Sequence, residues 1–174
     1  MRAVIQRVTS ASVTVDEKVI SQIGQGLCVL IGISRDDTEA DSDWICNKIL
    51  KLTLFDNTET GKRWSSSVTS RDFEVLCISQ FTLFATLKGN KPDFHLAMEP
   101  VASKALYQGL LKKLRSQYSP DRIHDGQFGA YMKIKIENDG PVTVNIESPN
   151  ITPKVNKRDC KLNQPCPEDS NKTD

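Results

Sequence analysis

The chain has 174 residues, of which 38 % are hydrophobic and 26 % charged, and this composition is typical of a globular protein with one domain. Its 23 Lys and Arg residues against 22 Asp and Glu residues give a net charge of +1, which excludes a strongly basic nucleic-acid-binding domain but not a local basic patch. The sequence contains neither an apolar run of transmembrane length nor the apolar segment of a signal peptide, so we expect a cytoplasmic protein with no membrane partner. Its five cysteines, an odd number, are expected to be reduced and mostly buried.

The first part of the chain is predicted to consist of strands. Alternating apolar residues predict a strand over 2–8, and shorter strands follow at 13–15 and 19–20, on either side of a turn at 16–18. The unbroken apolar run 27–33 predicts a strand that is buried on both faces.

In the middle of the chain, the spacing of the apolar residues changes from alternating to helical. Apolar residues at helical spacing, preceded by Asp and Glu in the first turns, predict a helix over 37–50. A short strand at 52–55, a loop or hairpin at 56–67, a buried strand at 73–81 and a basic loop at 88–94 are expected to follow.

A second helix is predicted to begin at Pro100 and to end before Ser119-Pro120. Residues 123–131 are predicted to form a loop, and the strands 131–136 and 142–146 are joined by the turn formers between them. Because helices and strands do not alternate strictly, we predict an α+β fold with mixed or antiparallel sheets packed against two main helices.

The composition changes after Pro149. Residues 150–174 are rich in Pro, Asn and Lys and are predicted to form a disordered polar tail, which leaves 1–149 as the single domain. That domain carries eighteen positive and eighteen negative side chains, so it is electrically neutral.

The sequence lacks the motifs of common nucleotide, metal and nucleophile sites. It contains no GxGxxG or GxxxxGK[ST] motif, so no nucleotide cofactor is expected. The two histidines, His95 and His124, have no second ligand at metal spacing and no nucleophile motif beside them. We therefore expect neither a metal nor a cofactor.

Two polar segments interrupt the strand pattern. The first, SQFTL at 79–83, is either the end of a strand whose side chains cap a turn or a row of donors for an oxyanion. The second, NDGPVT at 138–143, is either an ordinary hairpin turn or a recognition tip that presents the carbonyls of its Gly-Pro bond. The residues alone leave both questions open.

Together, these two segments resemble the signature motifs of the D-aminoacyl-tRNA deacylases. The opening MRAVIQRVTSASV, the segment KGNKPDFHLAM at 88–98 and the segment DGQFGAYM at 125–132 resemble the same family, so the resemblance extends from residue 1 to about 149. It implies an enzyme that hydrolyses the ester between a D-amino acid and the 3′ end of tRNA, and that also removes mischarged glycine. It further implies a homodimer in which a cis Gly-Pro tip reaches into the partner's active site.

The resemblance also implies roles for the residues of both motifs. The carbonyls of Gly140 and Pro141 would bind the α-ammonium and occupy the place of an L side chain. The N–H of Phe81 or Thr82, together with the Thr82 hydroxyl, would form an oxyanion hole. Either the substrate's own 2′-OH assists the reaction or Thr82 is the nucleophile, and we favour the first because no His or Lys adjoins Thr82 in the sequence.

Further residues receive roles from the resemblance alone. Arg7 is either a surface arginine or the residue that locks the partner's tip. The residues that match the adenosine-binding segment of the family are Phe128, Gly129 and Met132, which could instead belong to the core. In the first motif, Ser79 and Gln80 are placed with the catalytic residues, and Gln80 would orient the tip or the substrate. In the second motif, Asn138 and Thr143 are placed with the substrate-binding residues.

Surface cations are the candidates for contact with the RNA backbone, although each could be a solvated surface charge. They are Lys88, Lys91, Lys112, Lys113, Arg115, Lys133 and Lys135. Two alternatives to the deacylase stay open: a non-enzymatic nucleic-acid-binding protein, such as a DNA-replication accessory that uses this scaffold and its tail, and a metal-dependent hydrolase.

Overall fold

A computed structural model describes residues 1–149, which form one mixed β-sheet, a small hairpin and two helices. The strands are β1 (Arg2–Val15), β2 (Lys18–Ile23), β3 (Gly26–Gly32), β4 (Glu74–Ser79), β5 (Thr86–Lys88), β6 (Lys91–Asp93), β7 (Ile123–Asp125) and β8 (Lys133–Glu147), and the helices are α1 (Glu39–Lys51) and α2 (Pro100–Gln117). Strands β3, β4 and β7 are mutually parallel, whereas β1 is antiparallel to β2, β3 and β8. The predicted α+β class with two main helices is confirmed.

Strand β1 organises the sheet. One of its edges pairs with β8 from Arg2 to Thr14, and the other pairs first with β3 and then with β2. The prediction of separate strands at 2–8 and 13–15 is therefore wrong. Polar Thr9 and Ser10 hide the continuity in the sequence, but the pairing partners on both edges keep the backbone extended through them.

Two apolar cores lie on the two faces of the sheet. The first is built between the sheet and both helices, and its fully buried residues include Ile5, Leu27, Val29, Ile45, Ile49, Leu110 and Leu114. The second contains Val8, Ala11, Val13, Ile23, Cys28, Leu76 and Ile78. Because β2 also contacts β4 and β7, which are not its neighbours in the sheet, the sheet curls over this second core.

The two predicted helices are confirmed with small shifts of their ends. Helix α1 begins after Thr38, whose backbone N–H and hydroxyl both donate to Asp41 Oδ2 at 2.9 Å. Helix α2 begins at Pro100, and the Glu99 carboxylate accepts the N–H groups of Val101 and Ala102 at 3.1 and 2.8 Å. Local caps thus set both helix starts.

Four short predictions are wrong in detail. Residues 52–55 form no strand, since only Phe55 makes an isolated bridge, to Ser66. The strand predicted over 73–81 ends at Ser79, because the chain turns there. The basic loop predicted over 88–94 contains the end of β5 and all of β6, and the loop predicted over 123–131 begins with β7. Three-residue strands such as these are too short for an alternating pattern to show.

The predicted tail, residues 150–174, lies outside the described residues. Within residues 1–149, no helix combines the length and the apolar character needed to cross a membrane.

Candidate active site

The SQFTL motif is the end of a buried strand followed by a tight turn. The N–H of Gln80 donates to the carbonyl of Ile31 at 2.7 Å, and the chain then forms a 3₁₀ turn over Phe81–Phe84. This turn lies against Gly32, where an added Cβ would be 2.8 Å from the Cβ of Leu83 and 3.2 Å from the carbonyl oxygen of Gln80. The close packing is possible because Gly32 has no side chain.

The 3₁₀ turn offers hydrogen-bond donors at the surface. The first N–H groups of a helical turn have no intrahelical carbonyl partner, and here they belong to Phe81 and Thr82. The Gln80 side-chain amide donates to Thr82 Oγ1, which leaves the hydroxyl hydrogen of Thr82 free to donate elsewhere. Two backbone amides and a hydroxyl are thus close together on the chain, as a developing oxyanion requires.

A cavity of about 700 Å³ adjoins this turn. Its lining includes six of the residues predicted for the site, namely Ser79, Gln80, Phe81, Phe128, Gly129 and Met132. The tertiary structure therefore brings the first motif and the predicted adenosine segment together, although 45 positions separate them in the sequence. Thr82 itself, the residue after Phe81, is exposed and does not line the cavity.

One wall of the cavity comes from a segment for which the sequence predicts no role. This wall is formed by Phe94 and 97–100, and the Phe94 ring packs edge-on against that of Phe81 with ring centroids 5.0 Å apart. The wall is held to the end of β3 because the N–H of Met98 donates to the carbonyl of Ile33 at 2.9 Å. The sequence carries one signal for this wall, the resemblance of KGNKPDFHLAM at 88–98 to the deacylase family.

The NDGPVT motif is a bulge in one long strand. Arg7 pairs with Val142 and Val8 pairs with Asn138, so Asp139–Pro141 protrude from β8 between two segments that both continue along β1. The interpretation as a hairpin turn is therefore wrong: β1 pairs with both segments along one edge and prevents the chain from reversing. We call Asp139–Pro141 the Gly-Pro tip. Its Gly140–Pro141 peptide bond is cis, as the resemblance implies.

Arg7 contacts the Gly-Pro tip of its own chain. Its Nε lies 3.3 Å from the carbonyl oxygen of Asp139 and 3.1 Å from Asp139 Oδ2, and its Nη1 donates to the carbonyl of Leu54 at 2.8 Å. The Arg7 side chain is only 15 % exposed, and its guanidinium is held by Asp139 and Leu54 of its own chain. Asn138 and Thr143, at either side of the tip, are both exposed.

Within one chain, the Gly-Pro tip and the 3₁₀ turn are far apart. Ser79 pairs with Ile31, which pairs with Ala3, whereas the tip lies beside Arg7. Four residues along β1 correspond to about 13 Å, and the three strand spacings from β8 to β4 add about 14 Å in the perpendicular direction. None of Asn138, Gly140, Pro141 and Arg7 lines the 700 Å³ cavity.

Among the described residues, the cavity lining contains no histidine or lysine, and its one carboxylate, Glu99, accepts the N–H groups of Val101 and Ala102. His95 Nδ1 is 2.6 Å from Asp93 Oδ1, and His124 Nε2 is 3.0 Å from Glu74 Oε1, but neither histidine lines the cavity. A side-chain hydrogen bond from Lys88 and hydrogen bonds from His95 lower the pKa of the Asp93 carboxyl well below its usual range. No three His, Cys, Asp or Glu side chains in residues 1–149 form a group that could hold a metal ion.

Four of the seven predicted RNA-contacting cations form ion pairs. Lys113 lies 2.6 Å from Asp43, Arg115 3.3 Å from Asp125 and Lys133 2.6 Å from Glu17, while Lys88 pairs with Asp93. The carboxylates of Asp43 and Glu39 raise the pKa of Lys113. The predicted RNA-contacting cations are thus partly neutralised by neighbouring carboxylates.

Comparison with known proteins agrees with this geometry. The family model for D-Tyr-tRNA(Tyr) deacylase matches residues 4–147, which contain both motifs and the cavity. The chain belongs to this deacylase family. The D-aminoacyl-tRNA deacylase 1 of Bos taurus is 55 % identical over 149 residues, which are 86 % of this chain and 71 % of the relative.

A second relative and a solved structure match the same part of the chain. The D-aminoacyl-tRNA deacylase of Drosophila melanogaster is 54 % identical over 149 residues, covering 86 % of this chain and 93 % of that protein. A solved structure named c-Myc DNA Unwinding Element Binding Protein superposes with a TM-score of 0.82 at 54 % identity, covering 86 % of this chain and 99 % of that chain. The deacylase fold therefore spans the described residues almost entirely.

Proposed function

We propose that this protein hydrolyses the ester bond of D-aminoacyl-tRNA, releasing the D-amino acid and the tRNA, and that it clears mischarged glycine in the same way. The observation that carries the proposal is the cavity in which the SQFTL turn meets Phe128, Gly129 and Met132. The SQFTL turn, whose first N–H groups are free to donate to an oxyanion, lies there next to an aromatic and a thioether that suit a nucleobase face. The membership of the chain in the D-Tyr-tRNA(Tyr) deacylase family supports the same reaction.

The proposed chemistry is attack on the ester carbonyl with stabilisation of the resulting oxyanion. The N–H groups of Phe81 and Thr82 and the Thr82 hydroxyl donate to the oxygen as it becomes negative. Gln80 acts as a positioning residue, because its amide holds Thr82 Oγ1 as an acceptor and directs the hydroxyl hydrogen toward the substrate.

Thr82 is not the nucleophile in this proposal. In the described residues its hydroxyl contacts the Gln80 amide and no histidine, lysine or carboxylate that could take its proton. The substrate's terminal ribose carries a 2′-OH beside the ester, and this group assists the attack by water. The protein then contributes mainly position and electrostatic stabilisation.

Selection for the D configuration requires the Gly-Pro tip. The carbonyls of Gly140 and Pro141 bind the α-ammonium and fill the place that an L side chain needs, so rejection acts by a steric clash. Glycine has no side chain that could clash with the tip, so a glycyl ester is also accepted. Because the tip and the cavity of one chain are well separated, we propose a homodimer in which the tip of one chain enters the cavity of the other.

The first experiment measures release of amino acid from D-Tyr-tRNA, L-Tyr-tRNA and Gly-tRNA at catalytic amounts of protein. Loss of the D ester and of the glycyl ester with the L ester intact is the expected result. Folded protein that cleaves none of the three would refute the proposed function. Sedimentation at micromolar concentration tests the homodimer, and a monomer that deacylates at full rate would rule out the tip crossing between chains.

Two variants separate the roles within the site. Thr82→Ala removes one oxyanion donor and is expected to lower kcat about 10²–10³-fold while leaving a measurable rate. A complete loss in Thr82→Ala, with full activity in Thr82→Ser, would instead make Thr82 the nucleophile. Gly140→Ala places a Cβ 3.1 Å from Arg7 Nη2 at a backbone φ of +115°, which L residues rarely adopt, so we expect it to lose discrimination between D and L esters.

A second candidate function follows from one comparison. The c-Myc DNA Unwinding Element Binding Protein, at 54 % identity, is named for DNA binding, and residues 150–174 lie beyond the deacylase match. A salt titration with labelled duplex DNA tests it: binding that weakens steeply with salt and is lost on removal of 150–174 would support a DNA contact. The free thiols of Cys28, Cys46 and Cys77 are consistent with the cytosol as the compartment for either function.

A further inference from the structure

Trp64 combines two unusual features in the loop 56–67. Its backbone φ is +54°, a left-handed conformation that is a genuine outlier for a bulky residue, and its side chain is 54 % exposed. Burial in the core therefore does not account for the conformation. The N–H of Trp64 donates to Asp56 Oδ1 at 3.2 Å, which holds the residue in place. Strained backbone of this kind persists where the surrounding structure determines it, often beside a functional site.

The indole of Trp64 lies over Arg7. The guanidinium carbon of Arg7 is 5.7 Å from the centre of the ring, which is within the range of a cation–π interaction. The same guanidinium contacts both the carbonyl and the carboxylate of Asp139, and its Nη2 lies 3.1 Å from the position a Cβ would take at Gly140. Arg7 thus bridges the loop and the Gly-Pro tip.

In residues 1–149, the Nη2 of Arg7 has no hydrogen-bond partner, whereas Nε and Nη1 are both bound. Apart from the tip, the described hydrogen-bond partner of Arg7 is the carbonyl of Leu54, and a cavity of about 240 Å³ lined by Phe55, Asp56 and Asp139 adjoins its side chain. An arginine has many rotamers and costs entropy to immobilise. An aromatic ring placed on the guanidinium restricts those rotamers without competing for its N–H groups.

We propose that Trp64 is a positioning residue that holds the Arg7 guanidinium against Asp139 and Gly140, and thereby fixes the Gly-Pro tip that discriminates D from L esters. This inference rests on the proposed function, in which the tip carbonyls occupy the place of an L side chain. A loosened tip clashes less with that side chain and binds the α-ammonium less well. Loss of Trp64 should therefore lower the rate on the D ester and lower the D/L rate ratio.

The experiment compares Trp64→Ala with Trp64→Phe, which keeps an aromatic ring at the same position. Initial rates on D-Tyr-tRNA and L-Tyr-tRNA should give a D/L ratio about two- to five-fold lower in Trp64→Ala, the size of an exposed cation–π contact, with most of the ratio retained in Trp64→Phe. In an Arg7→Ala background the Trp64→Ala change should have no further effect, because both act through one contact. An equal effect in both backgrounds would overturn the proposal.

A second readout does not depend on activity. The Nε–H of Arg7, identified by its loss in Arg7→Ala, should exchange with solvent about two- to five-fold faster in Trp64→Ala than in the wild type and in Trp64→Phe. An unchanged exchange rate in Trp64→Ala would overturn the inference even if the rates fell. If the wild type cleaves no D ester but this exchange responds as expected, the proposed function fails while the contact of Trp64 with Arg7 stands.

Discussion

Replacement of Gly32 by alanine should displace the 3₁₀ turn that carries the proposed oxyanion donors. The new Cβ would lie 2.8 Å from the Cβ of Leu83 and 3.2 Å from the carbonyl oxygen of Gln80, so the 3₁₀ turn must move by several tenths of an ångström. Overpacking of this kind costs about 1–3 kcal/mol of stability. Since the turn carries the N–H groups of Phe81 and Thr82, this displacement should lower kcat by up to about 10²-fold, the loss that a misplacement of about 1 Å causes.

The assay is deacylation of D-Tyr-tRNA under saturating conditions, with the free energy of unfolding measured by denaturant in parallel. Gly109→Ala is the matched control, because Gly109 lies inside α2 with no atom within 4 Å of its added Cβ. That change should leave kcat unaltered and stabilise the protein by about 0.5–1 kcal/mol. Wild-type kcat and stability in Gly32→Ala would refute the argument that Gly32 sets the position of the turn.

Four further predictions concern the thiols, a helix cap, metals and the end of the chain. Burial raises the pKa of Cys28 and of Cys46 from 9.0 to about 11, so native protein at pH 8 should resist iodoacetamide at both, as followed by peptide mass spectrometry. Because the unfolded chain loses these protons first, the free energy of unfolding should fall as pH rises from about 9 to 11; a rise there would contradict the assignment. Glu99→Ala removes the cap of α2 and should destabilise the protein by about 1 kcal/mol in denaturant unfolding, whereas Glu99→Asp should retain most of the stability. EDTA should leave the deacylation rate unchanged, and inhibition reversed by added metal would favour a metal-dependent hydrolase. A chain ending at residue 149 should deacylate D-Tyr-tRNA at the full rate, since the described fold and both motifs lie before that point; a slower rate would give residues 150–174 a part in catalysis.

Local patterns in the sequence predict the helices well. The helices α1 and α2 begin where a cap or Pro100 places them, since hydrogen bonds to the first turn are made within a few residues. The strand 27–33 is likewise predicted from its continuous apolar run, which requires burial on both faces. These features depend on neighbouring residues, so a linear pattern contains them.

The continuity of β1 and β8 could not be predicted from local sequence patterns. Thr9 and Ser10 look like the end of a strand, but β1 runs through them because it has partners on both edges. The turn formers Asp139 and Gly140 look like a hairpin and form a bulge instead, because β1 pairs with the segments on both sides of them. Hydrogen bonds to a distant strand decide both cases.

The sequence by itself determined the chemistry of the two motifs, the family resemblance and the absence of an adjacent base for Thr82. The tertiary structure alone decided which residues meet: Phe81 shares a cavity with Phe128, whereas the Gly-Pro tip of the same chain lies well away from it. The reason is physical. Residue types set what a group can donate, accept or exclude, but strand register and sheet curvature set which groups come together, and these arise from contacts between segments remote in the chain.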